Sequence, residues 1–313
     1  MTAVRRLVGG AGTGKTTRII EELDQARSRY GLSWDQVGCS SFTRIGREEM
    51  TRRAAKNWEI AATALNRDGY FRTVHSVCLK QLGLSKEALL ADDQAARMWI
   101  AEKVGIDLPI SYDDDGEVFY DGVSNSGSEG AMAVAMWNLA RRMCVPIADL
   151  IQARQERGEA TASMAAVEYY VPRYESAKRA HGMVDFEDLL CRFAGVSQTI
   201  EGVRPARPEG KLPEGVGAWF FDEHQDASAL VDRVCRRLVG GEDVRLCLLA
   251  GDPFQSLYGS FAGGSHRHFM GWDGEQEIMR QSYRCPAEIL ELGEQCLRGM
   301  RSDYWDRRIA PAG

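Results

Sequence analysis

Nowhere in the 313 residues does an uncharged apolar run approach the roughly 18 to 20 residues that a membrane-spanning helix needs. The first residues pass through Arg5 and Arg6 into a short strand without the apolar core of a secretion signal. A soluble chain in the cytoplasm, with no membrane partner, is therefore expected. Cysteine is present but never paired: the eight residues lie far apart, with no C-x-x-C, so reduced and mostly buried thiols are expected. Neither His75 nor His224 belongs to a set of His and Cys long enough for zinc coordination, so a zinc site is not expected. Positive charge is also short. A net charge of −6 and a pI near 5.6 exclude a protein that coats nucleic acid by bulk electrostatics, so any such binding must use a local groove. No internal repeat and no long low-complexity tract interrupts the chain.

What is there alternates. From Val4 to about Leu82, apolar strand-like runs follow helical patterns, the signature of a parallel sheet covered by helices, and the same character returns near Val184. Between them, residues 85–181 carry helical periodicity (Leu89, Ala96, Trp99 and Ile100, then Met132, Met136, Leu139, Ala140 and Met143). The pattern predicts an α/β sheet interrupted by a helical insertion, with sheet segments at 1–84 and 182–279. An exposed acidic loop is expected over 113–130, with Asp113, Asp114, Asp115 and Glu117, and a second loop over 202–217, where prolines and glycines collect.

The sequence Gly9-Gly10-Ala11-Gly12-Thr13-Gly14-Lys15-Thr16 fits G-x-x-x-x-G-K-[ST], after a strand ending in Leu7 and Val8 and before a helix over 17–30. Phosphate oxygens need several converging N–H groups, and glycines allow this by removing Cβ. The following helix adds its positive end, Lys15 a mobile charge, and Thr16 a ligand for Mg²⁺; Thr17 completes the loop's reach. Alone the loop says nucleoside triphosphate and leaves kinases, GTPases and motors open.

A second acidic strand end narrows the choice. The run from Val216 to Phe221 leads into Asp222-Glu223-His224-Gln225-Asp226, placing carboxylates at the sheet edge beside the phosphate loop. Asp222 is expected to hold Mg²⁺ and Glu223 to activate the attacking water. A kinase that passes phosphate to another hydroxyl has less use for Glu223, so an ATP hydrolase is favoured.

At this point the chain resembles the UvrD/Rep branch of superfamily 1 DNA helicases. Asp222 to Asp226 is similar to that family's motif II. Leu249 to Gly263 resembles motif III, which implies that Gln255 contacts the γ-phosphate and that Tyr258 or Phe261 stacks on a base. Ser41-Phe42-Thr43-Arg44 resembles motif Ia, implying DNA contact by Phe42, Thr43 and Arg44. Arg72 to Ser76 resembles the T-x-H-S segment, implying DNA contact by Thr73 and His75. The stretch Val184 to Leu190 resembles the re-entry into the first RecA-like domain. Gln281-Ser282-Tyr283-Arg284 resembles motif IV, whose Tyr stacks on adenine and whose Arg reaches the γ-phosphate. The resemblance implies a RecA-like P-loop fold with a 1B-like insertion, ATP and Mg²⁺ as cofactors, and 3′-to-5′ movement on single-stranded DNA.

The chain departs from that pattern. Only eight residues precede Gly9, where the family has an adenine-reading Gln, and motif III carries one extra residue near Gly259, so Tyr258 and Phe261 remain alternatives. After Arg284 only 29 residues follow, so 280–313 reads as a stub of a second RecA-like domain. A split helicase completed by a separate polypeptide, a truncated chain, and a regulatory binding fragment all fit. The apolar residues Ile289, Leu290, Cys296 and Leu297 would recruit such a partner. Phe42 and Phe261 read equally as core aromatics, and the basic run Arg44, Arg47, Arg52, Arg53 and Lys56 as either a solvated face or a backbone-phosphate contact.

Overall fold

The computed structural model describes residues 2–41, 44–91, 94–108, 111–112, 118–119, 128–256, 263–300 and 309–312. A six-stranded sheet organises the chain, built from β1 (Ala3–Gly9), β2 (Val37–Ser41), β3 (Tyr70–Phe71), and later strands β8 (Ala218–Asp222), β9 (Leu246–Gly251) and β10 (Glu275–Met279). The order is β10-β1-β9-β8-β2-β3 and every pairing is parallel. All six strands therefore end at one edge, and whatever follows each strand gathers there.

The central strands are buried on both faces, which is why they read as unbroken apolar runs. Strand alternation sorts their side chains into two cores. Leu7, Cys39, Ala218, Phe220, Leu248 and Ala250 pack with Ile19, Ile20 and Leu23 of α1 (Lys15–Tyr30) and Met50 and Ala54 of α2 (Arg44–Trp58). On the other face Val8, Trp219, Phe221, Cys247 and Leu249 pack with residues of α4 (Val74–Gln81), α9 (Phe186–Ala194) and α10 (Ala229–Val239). A Cβ on Gly38 would lie 2.2 Å from the Trp219 ring, so the indole occupies space that only glycine leaves.

A third core is helical. It joins α5 (Gln94–Val104), α6 (Glu129–Met143), α7 (Ile147–Glu156) and α8 (Met164–His181) through Ile100, Met132, Met136, Leu139, Ile151, Val167 and Tyr174. The chain enters and leaves this unit side by side, with Leu90 N–H on the Val184 carbonyl at 2.7 Å and Val184 N–H on Ala88 at 2.8 Å. Serine, threonine or aspartate caps α4, α6, α8, α9 and α10, each accepting a hydrogen bond from a backbone N–H in the first turn. Among the described residues no helix is long and apolar enough to cross a membrane.

Two expectations about loops change. Residues 202–217 do not form one continuous loop, because Val196–Thr199 (β6) and Gly202–Pro205 (β7) pair antiparallel, closing a tight turn between Thr199 and Gly202. Proline and glycine content obscured the β-branched Val196, Thr199 and Val203 that make the hairpin. The expected acidic loop lies largely outside the described residues, and its last positions are helical because Ser128 caps α6 at Glu129. Past β10, a short parallel pair, β11 (Gln281–Ser282) with β12 (Ala310–Pro311), accompanies α12 (Ala287–Met300), on which Ile289 and Cys296 are exposed and Leu290 and Leu297 half-buried.

Candidate active site

The phosphate loop leaves β1 at Gly9 and turns into α1 at Lys15. Gly12 and Gly14 hold φ of +70° and +81°, values that L side chains avoid, so the loop's shape depends on glycine there. Thr13 is buried and its hydroxyl donates to the Gly10 carbonyl at 2.9 Å, bracing the loop. Lys15 folds back over the loop, with Nζ donating to Gly9 O at 3.0 Å. Thr16 and Thr17 open α1, and Thr17 Oγ1 accepts from Arg53 of α2 at 3.0 Å.

Two strands away, β8 delivers Asp222, which is buried and faces Ser41 of β2 in the sheet register. Burial and the neighbouring Glu223 carboxylate push the Asp222 carboxyl up to about 7, with Lys15 pulling the other way. Such a carboxylate sits among too little positive charge, and a divalent cation supplies what is missing. Glu223 adopts a left-handed backbone conformation, φ 53° and ψ 36°, uncommon for a residue with a side chain. Its carboxylate accepts from the Gln225 amide at 2.9 Å.

The end of β9 continues into a short turn, Pro253–Gln255, capped by Asp252. Gln255 is half-buried, on the same sheet edge as Glu223. From β10 the chain passes to Tyr283 and Arg284, which rest on the phosphate loop: Tyr283 N–H donates to Gly12 O at 2.9 Å, and Ser282 Oγ donates to Ala11 O at 3.0 Å. A Cβ on Gly12 would come within 2.4 Å of Arg284 Cβ, so glycine is needed there for close approach as well as for φ. The Tyr283 ring passes over Gly14 and is 71% exposed, leaving an aromatic face open beside the loop.

A family profile, the UvrD/REP helicase N-terminal domain, matches residues 2–274. The chain belongs to the UvrD/REP helicase family. Its relatives include the ATP-dependent DNA helicase UvrD1 of Mycobacterium tuberculosis, 23% identical over 93% of this chain and 37% of that protein. UvrD2 of the same organism is 23% identical over 98% of this chain and 43% of its own length, and UvrD1 of Mycobacterium leprae is 22% identical over 93% and 37%. The chain thus spans roughly two fifths of the relatives it matches.

Within the UvrD/REP domain the residues expected to contact DNA are placed less completely. Phe42, Thr43, Tyr258 and Phe261 lie outside the described residues, as does the side chain of Arg44. Thr73 caps α4, its hydroxyl oxygen accepting from Ser76 N–H at 3.3 Å. His75 meets the edge of Phe186, ring centroids 5.2 Å apart, and burial draws its imidazole down to about 4, so it is neutral at neutral pH. The basic run on α2 is largely paired, Arg47 with Glu48 and both Arg52 and Arg53 with Glu49. His224, read as no metal ligand, is buried with Nε2 3.1 Å from Asp232 Oδ1, which also accepts from Trp272. The sequence signal for Ser282, which ties the Tyr283 segment to the loop, and for Gln225 is slight: a small or amide side chain beside a candidate site residue.

Proposed function

We propose that the chain binds and hydrolyses ATP and couples hydrolysis to single-stranded DNA, as the N-terminal half of a helicase or translocase moving 3′ to 5′. What supports this most is the convergence of the phosphate loop, Asp222-Glu223, Gln255 and Tyr283-Arg284 at one edge of one parallel sheet. On this reading residues 1–84 and 182–279 form the RecA-like ATPase domain, 85–181 an inserted helical domain, and 280–313 the beginning of a second RecA-like domain. The cytoplasm is its proposed location.

Backbone N–H groups of Gly10, Ala11, Gly12, Thr13 and Gly14 would cradle the phosphates, Lys15 would follow the β- and γ-phosphates, and the Tyr283 ring would cover the adenine. Thr16 and Asp222 would hold Mg²⁺, which would supply neutralisation of the phosphate charge. Glu223 would take a proton from water as its oxygen attacks the γ-phosphorus and the bond to the β-phosphate oxygen breaks, while Gln255 and Arg284 steady the departing charge. DNA would be contacted by Phe42, Thr43, Arg44, Thr73, His75 and either Tyr258 or Phe261, through stacking and backbone contact without base preference.

Steady-state ATP hydrolysis with and without single-stranded DNA tests this, with Glu223→Gln as the control. DNA-stimulated turnover that falls by about 10² or more in the variant is expected, the usual scale of a lost general base. ATP binding without turnover would leave the reading in which a separate polypeptide must supply the second RecA-like domain.

A further inference from the structure

Gln225 is 2% exposed and is engaged at every polar atom of its side chain. Its amide nitrogen donates to Glu223 Oε2 and to Asp226 Oδ2, both at 2.9 Å, and its amide oxygen accepts from Asp252 N–H at 3.1 Å. Its backbone carbonyl accepts from the Ser256 hydroxyl at 3.0 Å. One side chain therefore spans from the acidic turn after β8 to the turn after β9. The space is tailored to it: a Cβ on Gly251, the last residue of β9, would lie 2.4 Å from Gln225 Oε1. Glu223 itself sits in a left-handed backbone conformation, and among the described residues the hydrogen bond on its carboxylate comes from this amide.

On the reading above that Glu223 activates water, we propose that Gln225 is its positioning residue, and that it makes the aim of the Glu223 carboxylate depend on where the 252–256 turn stands. Buried and bonded only to protein groups among the described residues, Gln225 would act through Glu223. A shift of the turn pulls the side-chain amide through the Asp252 N–H and the Gln225 backbone through the Ser256 hydroxyl, and the carboxylate follows. A misplacement of about 1 Å is enough to cost on the order of 10²-fold in rate. Any ligand that moves the turn thereby regulates hydrolysis without contacting Glu223.

The test uses Gln225→Met, close in volume and without polar atoms, and Gly251→Ala, which leaves Gln225 intact but crowds its amide. Both are expected to lower kcat for ATP about 10-fold to 100-fold at an unchanged KM. In a Glu223→Gln background Gln225→Met should cost nothing further, since a residue that acts only through Glu223 has nothing left to position. An equal loss in both backgrounds, or a rise in KM with kcat unchanged, overturns the proposal. If Glu223→Gln keeps full turnover, the assignment of the base fails; if it abolishes turnover while Gln225→Met does not, only the role of Gln225 fails. For a chain with slow turnover, amide hydrogen exchange decides: Glu223→Gln should change protection of the Asp252 N–H, and no change would refute the link.

Discussion

His75 shows how burial chooses a side chain's chemistry. With its folded pKa drawn to about 4 by burial, against an unfolded value near 6.5, the unfolded chain binds a proton that the folded one refuses between those limits. Stability from the neutral ring is complete above the upper limit and is lost as pH falls toward the lower, on the order of 1 kcal/mol per pH unit. The urea midpoint of a His75→Gln variant should therefore fall less between pH 6.5 and 4.5 than that of the parent chain; parallel curves would mean the ring charges freely in the fold. To the proposed DNA, a neutral imidazole would offer a hydrogen bond and a ring face in place of a cation. The motif spacing located His75 without its charge state, because burial against Phe186 is set by α9, more than a hundred residues away. Gly12 behaves the same way: its need for glycine was readable from the loop, whereas its second constraint, the close approach of Arg284, arises from contact with the far end of the chain.

Among the elements, α9 joins the helical unit to the sheet, and a buried ionic cluster makes the joint. Asp185 caps α9 through Oδ1 while Oδ2 accepts from Arg141 of α6 at 2.5 Å, Lys178 of α8 at 2.6 Å and Tyr174 at 3.0 Å. Asp188 accepts from the same two cations. Burial opposes charge on Asp185, and Arg141 and Lys178 overcome it, holding the carboxyl far below its usual range. Asp185→Asn keeps the shape and much of the cap but leaves two buried cations facing one fewer anion. A loss of about 3 to 5 kcal/mol is expected, the scale for removing one member of a buried ion pair, measured by urea unfolding; a loss under about 1 kcal/mol would mean that water or rearrangement replaces the carboxylate. The apolar periodicities of α5 and α6 and the doubly buried strands were legible in sequence because each is local. Pairing of Arg141 with Asp185 was not, being a contact between helices that the chain's order leaves unconnected, and the β6–β7 hairpin was missed because turn residues outweighed its short strands.

For the whole molecule, the parallel sheet was readable from alternating elements, but its order, with β10 and β3 at the edges, depends on pairings between distant segments. That order has an electrostatic consequence. The chain carries a net charge of −6, and the cations of α2 that face outward are mostly matched by Glu48 and Glu49. Long-range attraction to a polyanion is therefore weak, and the proposed single-stranded DNA would have to be held by a few local phosphate contacts together with stacking. Each neutralised phosphate on a single strand contributes about −0.7 to the slope of log K against log salt, so two to four contacts give a slope of about −1 to −3. Fluorescence anisotropy of a labelled oligonucleotide titrated at several salt concentrations measures it. A slope steeper than about −5 would require a continuous basic track and would return the α2 cations, freed from their glutamates, to the DNA path. A shallow slope would assign affinity to stacking, and replacing Tyr258 or Phe261 should then weaken binding equally at low and high salt.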